Sequence, residues 1–298
     1  ISASIDQYVY IGVNERFDGG IRLAYSKNEV VQKIEEIEND RIQAAFYNLG
    51  ISSGIEVFYI SDIPKNMGLG GSSAFTVGLL NALYTYNNKI VYPERLARES
   101  CNLEIEQLNN PIGKQDQYAS AFGGLNFIKF FSDNSVSIEK MLIDESKIKD
   151  LLNNLVFIYL NQSHQSSKIL SDVNKKMNSN IDAMIELKSL TIEFYEQIKN
   201  GHLSGFIDIL RESWKLKKQT SNMVSNTFID ELYDKAISLG AKAGKVLGAG
   251  GGGFFMFYVP LDIQEDFINY FENMKILKFN IEHSGTKIVY NDKGILYL

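Results

Sequence analysis

The sequence predicts an α+β protein built as two domains, and three observations carry that reading. Apolar residues alternate with period two in YVYIGV, IRLAYS, IEVFYIS and LNFIKFF, whereas the stretches after Ser72 and after Pro93 carry helical spacing. From about Asp150 the order changes to one strand followed by several helices. Finally, 298 residues with 45% hydrophobic content fill two cores of ordinary size more naturally than one. The expected domains are 1–150 and 151–298.

Taken in order, the opening ISASIDQYVYIGV sets Ile1, Ala3 and Ile5 against Ser2, Ser4 and Asp6, as though the chain starts inside a strand. GIEVFYIS reads as a strand leading into a helix whose apolar face carries Ala74, Phe75, Val77, Leu79, Leu80 and Leu83. Beyond residue 150, NLVFIYL reads as a strand, and helices are expected over 166–199, 203–218 and 228–239. The end of the chain reads strand, helix DIQEDFINYFENM, strand KFNIEHSGTKIVY, a small sheet with helices on one face. Trp214 is expected to anchor a helix beside that core with its N–H satisfied.

Composition narrows the function. A net charge of −6 argues against a general nucleic-acid binder, which needs a basic face. A lone cysteine, Cys101, rules out an internal disulfide framework and points to a reducing cytoplasm, and the three histidines show no zinc-ligand spacing. No apolar run approaches the roughly 20 residues that a membrane helix needs. A small molecule is the expected partner; nothing in the sequence indicates an oligomeric state.

Chemistry concentrates in three segments. IPKNMGLGGSSAF places Gly68, Leu69, Gly70, Gly71, Ser72 and Ser73 where a strand gives way to a helix. The first amides of a helix lack intrahelical partners and carry the positive end of its dipole, so phosphate is a natural guest and glycines let it approach. A serine N-cap after a glycine turn is the competing reading. The second segment, KVLGAGGGGFFMFYVP, has five glycines within six residues (248–253), more than a hairpin turn needs. In the third, CNLEIEQLNNPIGKQDQYASAFGG, helical spacing puts Glu104 in the apolar stripe of Ala97, Cys101, Ile105 and Leu108, with Glu106 pointing nearly opposite. An inward carboxylate needs a cation, either a metal or a basic side chain. Asp116 follows the Pro111 and Gly113 turn and suits a helix cap and a catalyst equally.

The three segments together resemble the GHMP kinases, the superfamily of galactokinase, homoserine kinase and mevalonate kinase, and the resemblance spans nearly the whole chain. Within it, RFDGGIRLAYSKNEVV, PIGKQDQYASAFGGLNFIKF and KVLGAGGGGFFMFYVP look most like heptose 7-phosphate kinases, with sugar 1-kinases such as fucokinase near. The resemblance implies a ribosomal protein S5 domain 2-like N-terminal domain and a ferredoxin-like α/β C-terminal domain. It also implies that ATP and Mg2+ are bound and that the γ-phosphoryl group passes to a sugar hydroxyl. By motif, Asp116 is the implied base, Ser72 and Glu104 the metal contacts, and Gly68 to Ser73 together with Gly250, Gly251 and Gly252 the nucleotide-binding backbone. Lys114, Arg16, Arg22 and His164 are candidates to recognise a sugar phosphate. The family's first motif would precede Ile1, Gly71 stands where related kinases often have Ser, and YLNQSHQSSKIL lacks a Thr-Gly and an Arg usual in heptose-kinase-like chains. Another sugar 1-kinase, a mevalonate-type kinase and a non-catalytic nucleotide sensor are the alternatives.

Overall fold

A computed structural model describes residues 1–64, 67–162 and 166–292. The chain forms two compact units. One comprises Ser2–Lys65, Gly70–Gly124 and the segment from Ile281 onward; the other comprises Leu125–Asn280 with the short pieces Ile1 and Asn66–Leu69.

The unit containing Gly70–Gly124 runs β1 (Ser2–Ala3), β2 (Val9–Glu15), β3 (Ile21–Ala24), β4 (Asn28–Val31), α1 (Asp40–Leu49), β5 (Ile55–Ser61), α2 (Gly71–Tyr86), α3 (Pro93–Cys101) and α4 (Gln115–Phe122). Its four-stranded sheet has the order β2-β5-β3-β4, with β5 antiparallel to β2 and parallel to β3. The pleat explains which residues form the core. Ile21, Leu23, Ile55 and Val57 are buried on one face, while Arg22 and Glu56 are paired neighbours on the other. Val77, Leu79, Leu80 and Leu83 bury one side of α2. Asn39 starts α1 by accepting from the Ile42 amide at 3.2 Å, and Gly50, with φ of 67°, ends it.

The other unit begins with a hairpin of β6 (Leu125–Phe130) and β7 (Val136–Lys140). It continues through α5 (Glu145–Asn153), β8 (Leu155–Tyr159), α6 (Ser166–Lys175), α7 (Ile181–Lys199), α8 (Phe206–Thr220), α9 (Thr227–Ser238), β9 (Ala243–Val246), β10 (Phe254–Tyr258), α10 (Gln264–Tyr270) and β11 (Ile276–Leu277). The last four strands make an antiparallel sheet of order β11-β8-β10-β9, the ferredoxin-like arrangement. Phe255 and Phe257 line its covered face with Val156 and Ile158, against Trp214, Ile229, Leu232 and Phe267 from the helices.

Two sequence expectations meet a different structure. The change of element order near residue 150 is real, but compactness changes hands at Gly124 and Leu125, because Phe127 and Met141 of the hairpin segment pack on Tyr195 and Ile198 of α7. KFNIEHSGTKIVY forms no strand among the described residues beyond one bridge between Ile5 and Ile281. It is pressed instead against the end of α4, where a Cβ on Gly285 would lie 1.9 Å from the Ala121 carbonyl oxygen.

Candidate active site

The start of α2 answers the question raised by its glycines. The N-cap is Gly70 in the left-handed region, with φ of 72°, and no side chain caps the helix. Ala74 is the first amide to bond back, to the Gly70 carbonyl at 2.9 Å, so the amides of Gly71, Ser72 and Ser73 are left for a ligand. The serine-cap reading is thereby corrected. Ser72 is exposed, and Ser73 is buried and turned inward.

What Ser73 turns toward is Glu104, whose side chain is fully buried. After Cys101 the helix widens into a π turn, Asn102–Gln107, closed by the Leu108 amide on the Leu103 carbonyl at 3.1 Å. In this wider turn Leu103 and Glu104 are both buried and Ile105 is only half-buried. Each Glu104 oxygen accepts twice. Arg41 Nε and Thr76 Oγ1 donate to Oε1, both at 3.0 Å; Ser73 Oγ at 3.0 Å and Gln117 Nε2 at 2.6 Å donate to Oε2. The cation that burial demanded is therefore Arg41, from α1. Sequence reasoning missed Arg41, Thr76 and Gln117. The available signal was a pair of hydroxyls, Ser73 and Thr76, spaced one turn apart inside an otherwise apolar helix face.

Asp116 stands in the first turn of α4; the N-cap position belongs to Lys114, so the cap reading of Asp116 falls away. A Cβ on Gly70 would lie 3.3 Å from the Asp116 carboxyl carbon, which places that carboxylate against the open end of α2. Crowding by protein, then the Glu104 charge, hold the Asp116 pKa above the ordinary carboxylate range, although the side chain still reaches solvent. A carboxylate shifted upward beside unpaired helix amides is equipped to take a proton next to a bound phosphate.

The second glycine turn lies between β9 and β10. A Cβ on Gly68 would lie 3.2 Å from the Leu247 carbonyl oxygen, and one on Gly248 would lie 2.7 Å from Gly68 Cα, so Gly68 and Gly248 are packed backbone to backbone within one unit. Gly250 is packed against Val224, whose carbonyl accepts from the Gly251 amide at 2.8 Å. The Gly250 and Gly252 amides have no such bond among the described residues.

The remaining candidates scatter. Arg16 is paired with Asp18 and Arg22 with Glu56, so both cations already have carboxylates. Lys114 immediately precedes α4, and His164 lies outside the described residues. Trp214 anchors α8 edge-on to Phe255 as expected, but its buried Nε1 finds no acceptor among the described residues. The Cys101 thiol, pushed up to about 12 mainly by burial, is chemically quiet. No described helix is long and apolar enough to cross a membrane. For a divalent ion, the exposed Ser72 hydroxyl and the buried Gln117 Oε1, which has no donor among the described residues, are oxygen ligands at hand. Glu104 could join them only by giving up one of its four donors.

The pattern of the GHMP kinases N terminal domain matches residues 28–124 and that of the GHMP kinases C terminal domain matches residues 194–274, together more than half of the chain. The chain belongs to the GHMP kinases. Among curated GHMP kinases it is similar to the D-glycero-alpha-D-manno-heptose 7-phosphate kinase of Campylobacter jejuni, with 29% identity over 275 residues, 87% of this chain and 80% of the relative. Two solved structures share its fold. One is described as a D-glycero-D-manno-heptose 1-phosphate kinase from Bacteriodes thetaiotaomicron, with TM-score 0.77, 24% identity, and coverage of 95% of this chain and 87% of the other. The other is a putative sugar kinase from Campylobacter jejuni, with the same score and identity and coverage of 96% and 87%.

Proposed function

We propose that this GHMP kinase transfers the γ-phosphoryl group of ATP to a sugar hydroxyl, which we take to be the anomeric hydroxyl of D-glycero-D-manno-heptose 7-phosphate, the sugar phosphate named in the similar curated kinase. The observation that carries the reading is the Asp116 carboxylate set against Gly70 at the uncapped start of α2. In this reading the amides of Gly70 to Ser73 hold phosphate oxygens, and Gly250 and Gly252 offer backbone donors of their own unit. Asp116 accepts the acceptor's hydroxyl proton as the oxygen attacks the γ-phosphorus and the bond to the β-phosphate oxygen breaks. Glu104 keeps Ser73, Thr76 and Gln117 in place, and Gln117 adjoins the base in sequence.

Magnesium, bound by the nucleotide's oxygens and Ser72, would neutralise the charge of the triphosphate, with Glu104 as a further ligand in exchange for one of its donors. The chain's own contribution is mainly positioning and charge neutralisation, and a general base adds roughly 10²- to 10⁴-fold. The test is ADP release with ATP, magnesium and a panel of heptose 7-phosphate, fucose, galactose and mevalonate. Turnover confined to heptose 7-phosphate supports the full reading, and preference for an unphosphorylated sugar moves it to a sugar 1-kinase. Preference for mevalonate, or no turnover with any acceptor, overturns it.

A further inference from the structure

At the root of the second glycine turn, two lysines lie within electrostatic reach of each other, and neither has an ion pair with an acid among the described residues. Lys217, one turn past Trp214 on α8, donates from Nζ to the Val246 carbonyl at 2.8 Å and to the Gly248 carbonyl at 2.6 Å. Its ammonium therefore rests on the junction between β9 and the turn, with one N–H left over. Lys245 sits on β9 opposite Met256 of β10, next in sequence to the carbonyl that Lys217 grips. It is half-buried, its ammonium has neither an ion pair nor a hydrogen bond among the described residues, and its charge also acts on the Ile1 amino group.

The neighbourhood supplies no compensation. Burial lowers the Lys217 pKa well below the ordinary lysine range and the Lys245 charge lowers it further, with no carboxylate acting in the other direction. Lys245 is itself brought down to about 8 by burial alone. Elsewhere on the same unit lysines find acids, as Lys218 does with Asp230 at 3.2 Å and Lys176 with Asp172 at 2.9 Å. Two crowded ammonium groups sharing one strand end are costly unless an anion joins them. The turn they adjoin adds the Gly250 and Gly252 amides, which have no backbone acceptor among the described residues. The acceptors at this corner are the two neutral carbonyls that Lys217 already uses, and no carboxylate acts on either lysine.

We propose that Lys217 and Lys245 form a subsite for a phosphoryl group beside the 248–253 turn. Lys217 both holds the turn through its two carbonyls and offers its remaining N–H, while Lys245 supplies the free charge. A dianionic, tetrahedral group fits two ammoniums and turn amides better than a carboxylate does, because it presents three acceptor oxygens in different directions. The inference deepens the kinase reading and rests on it for the identity of the phosphoryl source, which is either the nucleotide or the phosphate already carried by the acceptor.

The experiment is calorimetric titration of the full chain and of Lys245→Met and Lys245→Arg with inorganic phosphate, with ADP against adenosine, and with heptose 7-phosphate against unphosphorylated heptose. Thermal melts alongside check that each variant is folded. Lys245→Met should weaken phosphate binding at least tenfold, and Lys245→Arg should restore it to within about threefold. If the nucleotide is the source, ADP affinity falls with it and adenosine affinity does not. If the acceptor is the source, heptose 7-phosphate affinity falls and ADP affinity holds. Folded Lys245→Met that binds phosphate, ADP and heptose 7-phosphate like the parent overturns the subsite, as does a parent chain that binds no phosphate. Lys245-dependent phosphate binding in a chain that turns over no acceptor would keep the subsite and remove the kinase reading, so the two fail separately.

Discussion

The two glycine-rich turns look alike in sequence and do different physical work. At Gly70–Ser73 glycine opens the backbone: Gly71 has nothing within 4 Å of where a Cβ would be, and the helix amides there are uncapped. At 248–253 glycine closes it. Gly248 and Gly250 are packed against Gly68 and Val224, and the Gly251 amide is consumed by the fold. Glycine density alone therefore does not separate a backbone left open from one packed against another stretch of chain. The neighbouring charges separate them better, since the first turn has two carboxylates behind it and the second has two lysines.

The sharpest way to break this contrast is at Asp116. Asp116→Asn should cut turnover by roughly 10²- to 10⁴-fold with nucleotide affinity preserved, measured by steady-state kinetics and nucleotide titration. The same change should raise the melting temperature. A carboxyl held above its unfolded-state pKa contributes stability at low pH that is lost as pH rises through the folded value, so at neutral pH the charged form is a burden that Asn removes. A variant that melts lower and turns over normally would show Asp116 to be a structural part of the first turn.

Next in size is Arg41→Met, which leaves the buried Glu104 without its cation and should cost about 3 kcal/mol in denaturant unfolding. Gly248→Ala forces a side chain into a left-handed position (φ of 61°) and onto Gly68, and should cost about 2 kcal/mol, most of it strain. Gly71→Ser tests the open turn. With free space and no positive φ, it should change stability by only about 0.5 kcal/mol, in the stabilising direction, and leave turnover intact. If Gly71→Ser and Gly248→Ala destabilise equally, the distinction between the two turns disappears. The smallest effect is in the pH profile. Because Glu104 helps raise Asp116, Glu104→Gln should move the acid limb of kcat/KM toward lower pH.

Much of the scaffold was legible because its signals are local. The alternation of IEVFYIS became β5, the apolar face after Ser72 became α2, and Pro93 opened α3 at its first position. Glu104 was legible as an inward carboxylate because helical phase needs only near neighbours. Its partners were not, since Arg41 and Gln117 lie 63 and 13 residues away and meet it only through packing of α1 and α4. The π turn hid as well: nothing in NLEIEQ distinguishes it from one more turn of regular helix. The failed strand over 278–290 has a similar cause. Its alternation is genuine, but pairing goes no further than the single bridge of Ile281 to Ile5, and contacts with the end of α4 take over.

The segment after Ile281 returns to the unit that begins at Ser2: the Gly124 amide donates to the Glu282 carbonyl at 2.7 Å, and the Glu282 amide to the Ser4 carbonyl at 2.9 Å. On a ribosome, residues 125–280 must all emerge before those bonds can form. The helix bearing Asp116 would thus wait, its end unsealed, while the intervening unit has time to condense, and truncating the nascent chain near residue 280 would yield one finished half and one unfinished.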